Sequence, residues 1–351
     1  MSSLDNLTKS EFEYAKTYSI LACILAGEKI ADEEDDQGNE VTERDQRLVV
    51  RCSSEQWEKC DIPCKRAKVN FHNIPMVYDA FDSHFHLDRA SNKITGSATG
   101  VTIKAWLSQQ MERPPTVPVN LKGGLLIFCD PDSYPDTIPF DGKWKVSVGL
   151  HPKAVASTPQ KMKDKFWELV SNSRLSAVGE VGLDTSMKAG VGSLPLQKAF
   201  LLELCPVLKP TVPVVVHIRS NYTDLYSSHL YHQAFQIFKL NCSSSQKIVL
   251  HCFTGNLSTV KLWLSFCPST YFRFTHLLTK FDQDQRTALR YIPEDRLLAE
   301  TDSPYMPPKG IRINSPIYIG KVTEILAALR YTDLDTMATC TTRNAVALFG
   351  H

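Results

Sequence analysis

Residues 81–88 read FDSHFHLD. Side chains in an extended segment alternate between two faces, so Asp82, His84 and His86 project together. A buried strand ordinarily shows apolar residues on such a face. Two imidazoles and a carboxylate in line there need a polar object to converge on, and the rest of the chain has to supply the other side of it.

From about residue 78 onward, short apolar runs rich in β-branched residues alternate with segments of helical period. This is the rhythm of a parallel α/β fold. Strands are predicted at 78–86, 123–129, 144–151, 175–183, 212–219, 247–253, 270–274 and 296–302, with helices between most of them and two more at 317–329 and 334–348. Eight such units in about 270 residues match a (β/α)8 TIM barrel in number and size. A doubly wound open sheet is the alternative.

In a barrel the reacting groups sit at the carboxyl ends of the strands. His84 and His86 end the first predicted strand and His151 the third, Glu180 lies late in the fourth, His217 and His251 close the fifth and sixth, and Asp302 ends the eighth. A lone histidine in an apolar run such as VPVVVHIR is ordinarily a satisfied core residue. Ligand-type side chains on six strands at one end are not explained that way. Imidazoles and carboxylates with no accompanying thiolate suit divalent ions that take N and O ligands: magnesium, manganese, zinc, iron or cobalt. The set exceeds the needs of one tetrahedral ion, which argues for two ions sharing a carboxylate, the arrangement of a hydrolytic site. Cys252 follows His251 and is expected on the opposite face, against the helices. Neither a G-x-S-x-G nucleophile motif nor a phosphate-binding G-x-x-x-x-G-K-[ST] loop is present.

Six ordered motifs carry a resemblance: DSHFHLD, GLHP at 149–152, GEVGLD at 179–184, HIR at 217–219, HCFTG at 251–255 and ETDSPY at 300–305. Together with the TTRNAVALFG ending, the stretch from about 79 to 350 resembles the TatD-type metal-dependent deoxyribonucleases, within the amidohydrolase-like barrels. The resemblance implies a metal-dependent nuclease that hydrolyses phosphodiester bonds in DNA, with RNA as a further possible substrate, acting as an exonuclease with two divalent metal ions. It implies that His84 and His86 hold one ion and His217 and His251 the other, that Glu180 bridges them, and that Asp302 binds metal and takes the proton of the attacking water. A Glu on the fourth strand, where many barrels of the superfamily carry a carboxylated lysine, favours the nuclease branch. His151 and Arg219 are expected to contact the scissile phosphate. Lys153, Arg89, Lys309 and Arg312 lie just beyond strand ends, where charge alone can follow a nucleic-acid backbone. Two departures stand out: Lys153 occupies a position where the family often has a second histidine, and the segment after GLD lacks aromatic residues. Asp82 is expected to support the metal ligands from behind.

Residues 1–77 read as a separate amino-terminal extension of unknown role, ahead of a hydrolase barrel at 78–351. Residues 1–79 hold 10 Lys and Arg against 16 Asp and Glu, a net charge of −6, whereas residues 80–351 hold 29 against 22, or +7. A basic barrel suits a polyanionic substrate. Cys52, Cys60, Cys64 and His72 in the extension fit none of the common zinc spacings. The ten cysteines show no pairing pattern, the start lacks a secretory signal, and 18–26 is too short to cross a bilayer. A cytoplasmic or nuclear protein, neither secreted nor membrane-bound, is expected. Two other readings remain: a hydrolase of a small amide, ester or lactone, and a non-enzymatic adaptor working through the extension.

Overall fold

The computed structural model describes residues 76–109, 114–138 and 142–350. All but the last two residues of the predicted extension, with its cysteines, lie outside the described residues.

Eight strands run β1 (Tyr78–Phe85), β2 (Val119–Phe128), β3 (Trp144–Val148), β4 (Ala177–Asp184), β5 (Val214–Arg219), β6 (Ile248–His251), β7 (Thr270–Phe274) and β8 (Leu297–Ala299). Each pairs in parallel with the next, in sequence order. The seam between first and last is joined beyond the end of β8: Asp302 N–H donates to the His84 carbonyl at 3.1 Å, and His86 N–H to that of Ser303 at 2.8 Å. Ser83 Oγ adds a bond to the Ala299 carbonyl at 2.7 Å. The fold is the (β/α)8 barrel expected, and the open sheet is excluded by this joined seam.

Nine helices are described: α1 (Leu87–Thr95), α2 (Ile103–Gln109), α3 (Gln160–Ser171), α4 (Lys188–Leu204), α5 (Ser228–Asn241), α6 (Leu257–Phe266), α7 (Gln283–Tyr291), α8 (Ile319–Arg330) and α9 (Leu334–Phe349). Their starts follow local chemistry. Asn256 and Asp333 accept the third backbone N–H of α6 and α9, and Asp282 forms a reciprocal capping box with Gln285 at α7. Among the described residues no helix is long and apolar enough to cross a membrane.

The barrel wall sorts the side chains by parity. Val214 and Val216 of β5 pack outward with the helices, while Val215 faces the interior with Leu125, Ile127, Ala177, Val249 and Leu298. From below, α9 closes the interior with Leu348 and Phe349, the latter ring stacked on Phe81 at 6.3 Å. An apolar floor thus leaves the opposite end, toward the strand carboxyl termini, for polar residues.

Candidate metal centre

The parity that buries Val215 and Val249 places His217 and His251 two residues on, one layer higher on the same interior face. Glu180 arrives by a different route. The register of β4 on β5 slips between Gly179 and Val181, which sends Val178 and Val181 both outward and the intervening Glu180 inward. Close strand approach there needs glycine. A Cβ on Gly182 would stand 1.9 Å from the His217 carbonyl oxygen, and Gly182 has φ +150. β1 likewise slips around Phe81 and between Asp82 and Phe85; Phe85 then packs outward and His84 and His86 face the interior side.

Four side chains meet on one side of the mouth. His84 Nε2 lies 3.2 Å from His86 Nε2, 3.8 Å from Glu180 Oε2 and 3.6 Å from Asp302 Oδ1. His86 Nε2 is 3.6 Å from Glu180 Oε2 and 3.5 Å from Asp302 Oδ1. Ligands about 2.0–2.1 Å from a tetrahedral ion stand about 3.3–3.4 Å apart, so these spacings fit a divalent cation. The other Glu180 oxygen faces away from this group: Oε1 is 3.0 Å from His217 Nδ1 and 3.2 Å from His251 Nε2. All of these residues are buried. Burial alone would raise the Glu180 carboxyl, but the His251 ring, the His217 hydrogen bond and His84 together hold it well below its ordinary range. Burial likewise raises Asp302, and His251 and His86 outweigh it to keep that group ionised.

Behind the rings stand residues to which no role was assigned from sequence. Asp184 Oδ2 meets His217 Nε2 at 2.9 Å, and Glu300 Oε2 meets His251 Nδ1 at 2.9 Å. Both lie inside quoted motifs, GEVGLD and ETDSPY, four and two residues respectively from predicted ligands. Arg273, buried in β7, places Nη1 2.9 Å from His84 Nδ1.

Three expectations are corrected. Cys252 was expected against the helices, but β6 ends at His251, and the left-handed backbone at Cys252 (φ 46) breaks the alternation. Its Sγ stands 3.8 Å from Asp302 Oδ2, at the site. Nor is the site free of thiols otherwise: Cys129, two residues past inward-facing Ile127, donates to Glu180 Oε2 at 3.3 Å. Burial raises both thiols, that of Cys252 to about 12. Asp82 supports backbone rather than an imidazole, accepting from the N–H groups of Thr301 (2.9 Å) and His84 (3.2 Å) and from the Thr301 hydroxyl (2.5 Å).

Of the other residues predicted from sequence, His151, Lys153, Arg219 and Arg89 line a cleft of about 750 Å³ at the mouth, together with Tyr305. The His151 ring lies 4.6 Å from that of His217, and its Nδ1 accepts the Lys153 N–H at 3.2 Å. Burial, with His217 beside it, pushes His151 down to about 3, which keeps it neutral. Lys153 reaches Asp184 at 3.4 Å. Arg89 is held in a two-bond pair with Asp130 at 2.7 and 2.9 Å. Lys309 and Arg312 are exposed surface residues and do not line this cleft.

The family model for TatD-related DNases matches residues 81–350. A human protein named 3'-5' RNA nuclease TATDN2 is 28% identical over 247 residues, 68% of this chain and 30% of that protein, so the chain spans under a third of that relative. The 3'-5' ssDNA/RNA exonuclease TatD of Erwinia amylovora is 30% identical over 212 residues, 58% of this chain and 77% of the relative. A Bacillus subtilis relative, the uncharacterized metal-dependent hydrolase YabD, is 27% identical over 208 residues, covering 58% and 76% of the two chains. Among solved structures, the TatD homologue YJJV of Escherichia coli superposes with TM-score 0.56 at 19% identity, over 78% of this chain and 98% of that one, which speaks for the fold. With the match running the length of the barrel and the buried His and carboxylate groups converging at its mouth, the chain is a metal-dependent hydrolase and belongs to the TatD-related DNase family.

Proposed function

We propose that this chain is a nuclease that hydrolyses phosphodiester bonds of DNA, and of RNA as well, from a strand end, with two divalent ions. The observation that carries the reading is the split orientation of Glu180, Oε2 toward His84 and His86 and Oε1 toward His217 and His251. A carboxylate so placed is the natural bridge between two ions. Bound there, such ions supply a water acidic enough to attack near neutral pH and a clamp on the phosphate oxygens.

The chain's own residues have separable tasks in this scheme. Asp302, ionised and 3.5–3.8 Å from three of the four rings, accepts the proton of the attacking water. Neutral His151 and cationic Arg219 at the cleft wall hold the non-bridging oxygens, Arg219 by charge and His151 through its remaining ring nitrogen. Lys153 and Arg89 lend positive potential to the rim for the flanking phosphates. The activities for which the human and Erwinia relatives are named support a nucleic-acid substrate and leave both polymers in play.

The test is nucleotide release from end-labelled single- and double-stranded DNA and RNA oligomers, with chelator, magnesium, manganese or zinc. Metal-dependent cleavage lost in Asp302→Asn is the expected result. Absence of cleavage with every metal, alongside turnover of small amides, esters or lactones, would move the activity to the small-substrate class.

A further inference from the structure

The four imidazoles differ in what stands behind them. His217 faces Glu180 through Nδ1, and its Nε2 meets Asp184 at 2.9 Å. His251 faces Glu180 through Nε2, and its Nδ1 meets Glu300 at 2.9 Å. Glu300 is itself anchored by the Cys252 N–H at 2.7 Å. An ionised carboxylate only accepts hydrogen bonds, so with an ion held between these rings and Glu180 both rings would keep their outward N–H on a carboxylate and offer the inner nitrogen to the metal.

His84 is set the other way. Arg273 Nη1 lies 2.9 Å from His84 Nδ1, and a guanidinium only donates and keeps its charge in proteins. The Nδ1 lone pair is therefore spent on Arg273, and the single proton of the neutral ring sits on Nε2, the atom that faces His86, Glu180 and Asp302. Glu300 Oε2 is 3.7 Å from His84 Nδ1, beyond a hydrogen bond. His86 Nδ1 is buried with no hydrogen-bond partner. So one half of the mouth has two carboxylate-backed rings, and the other has one ring opposed by a cation and one with no support.

We propose that the two halves bind divalent ions unequally, tightly at His217 and His251 and loosely at His84 and His86, and that Arg273 is the positioning residue that sets the difference. This rests on the two-ion reading above. A ligating imidazole must offer a lone pair, and an acceptor behind its other nitrogen fixes that tautomer and raises its basicity. Arg273 does the reverse for His84 and adds the repulsion of a buried cation. The side chain is costly to keep: it is fully buried, with Nε and Nη2 lacking hydrogen-bond partners, and its Nη1 stands 3.8 Å from Glu300 Oε2, a carboxylate already engaged by His251 and the Cys252 N–H. The consequence is an enzyme that retains one ion and draws the second from solution, so that its activity follows the free concentration of divalent metal.

The experiment is calorimetric titration of the chelator-stripped full chain with zinc and with manganese. Two classes of site separated by about 10- to 100-fold are expected, the range of effects that such outer partners have. Arg273→Gln, whose amide oxygen can accept from Nδ1, tightens the loose class about 10-fold and moves the tight class less, through the lost 3.8 Å pair with Glu300 behind His251. Arg273→Met removes the cation without supplying an acceptor and tightens it less. Asp184→Asn weakens only the tight class. Two equal classes in the unsubstituted chain, or a loose class unmoved by both Arg273 variants, overturn the proposal while leaving two ions intact. A single ion, or none, up to millimolar metal overturns the two-ion reading together with it. Should Arg273→Gln fail to fold by thermal melt, Arg273→Met and the unsubstituted titration decide.

Discussion

Asp302 and His84 are joined twice: the Asp302 N–H donates to the His84 carbonyl at 3.1 Å, and Asp302 Oδ1 stands 3.6 Å from His84 Nε2. The backbone bond fixes the carboxylate beside the imidazole without using the side chain. Asp302→Asn therefore keeps the seam and loses the carboxylate proposed as the base. Its turnover of oligonucleotides is expected to fall by about 10²–10⁴-fold, with an unchanged circular dichroism spectrum. Residual activity near the unsubstituted level would remove Asp302 from the proton transfer.

Glu180 turns one oxygen to each half of the site. Glu180→Gln keeps shape and loses the charge, so metal affinity in both halves is expected to drop by at least about 10-fold, read as metal retained after gel filtration. Retention equal to the unsubstituted chain would place the ions elsewhere.

Arg219 at the end of β5 lines the cleft beside His217. Arg219→Ala is expected to weaken oligonucleotide binding and to lower the slope of log affinity against log salt by about 1, the signature of one lost phosphate contact. An unaltered slope would exclude it from the phosphate path.

Burial pushes the Asp82 carboxyl up from 3.8 to about 7, against the pull of its Thr301 and His84 hydrogen bonds. The sign follows from linkage: below 3.8 both folded and unfolded chains hold the proton, and between 3.8 and about 7 only the folded one does. Ionising Asp82 thus costs the folded state stability, progressively from pH 3.8 up to about 7. In metal-stripped protein, Asp82→Asn should gain stability relative to the unsubstituted chain as pH rises through that window. Urea melts at pH 5 and 8 measure it, and parallel pH profiles for the two proteins would contradict it.

Gly182 shows how tightly β4 and β5 approach at the site. In Gly182→Ala the backbone strain alone costs about 1–3 kcal/mol, and the clash with the His217 carbonyl adds to it. A lower urea midpoint and reduced metal binding are expected together, because the strand cannot part without moving His217.

The eight strands and six of the converging side chains were legible in sequence because parity and position at strand ends are local properties. Glu180 was found by position, yet its inward direction depends on a register slip that no alternation rule contains. Cys129 was readable in principle, since it shares parity with Leu125 and Ile127. Cys252 was misplaced because the rule was carried past the end of β6 into a left-handed residue. Asp184 and Glu300 acquire meaning only from rings brought by other strands. Arg273 was invisible for the same reason: in TYFRF it looks like an ordinary polar position, and only barrel closure shows that it points at His84.

His84 lies in the first strand of the barrel and Asp302 just beyond the last, which bears on how the protein is made. Synthesis runs from the amino terminus, and folding can begin before it ends. A growing chain that already carries His84, His86, Glu180, His217 and His251 still lacks the Asp302 carboxylate and the bond that shuts the seam. The last of the six converging side chains and the bond that shuts the seam thus reach the ribosome's exit together, after the other five are already in place to receive them.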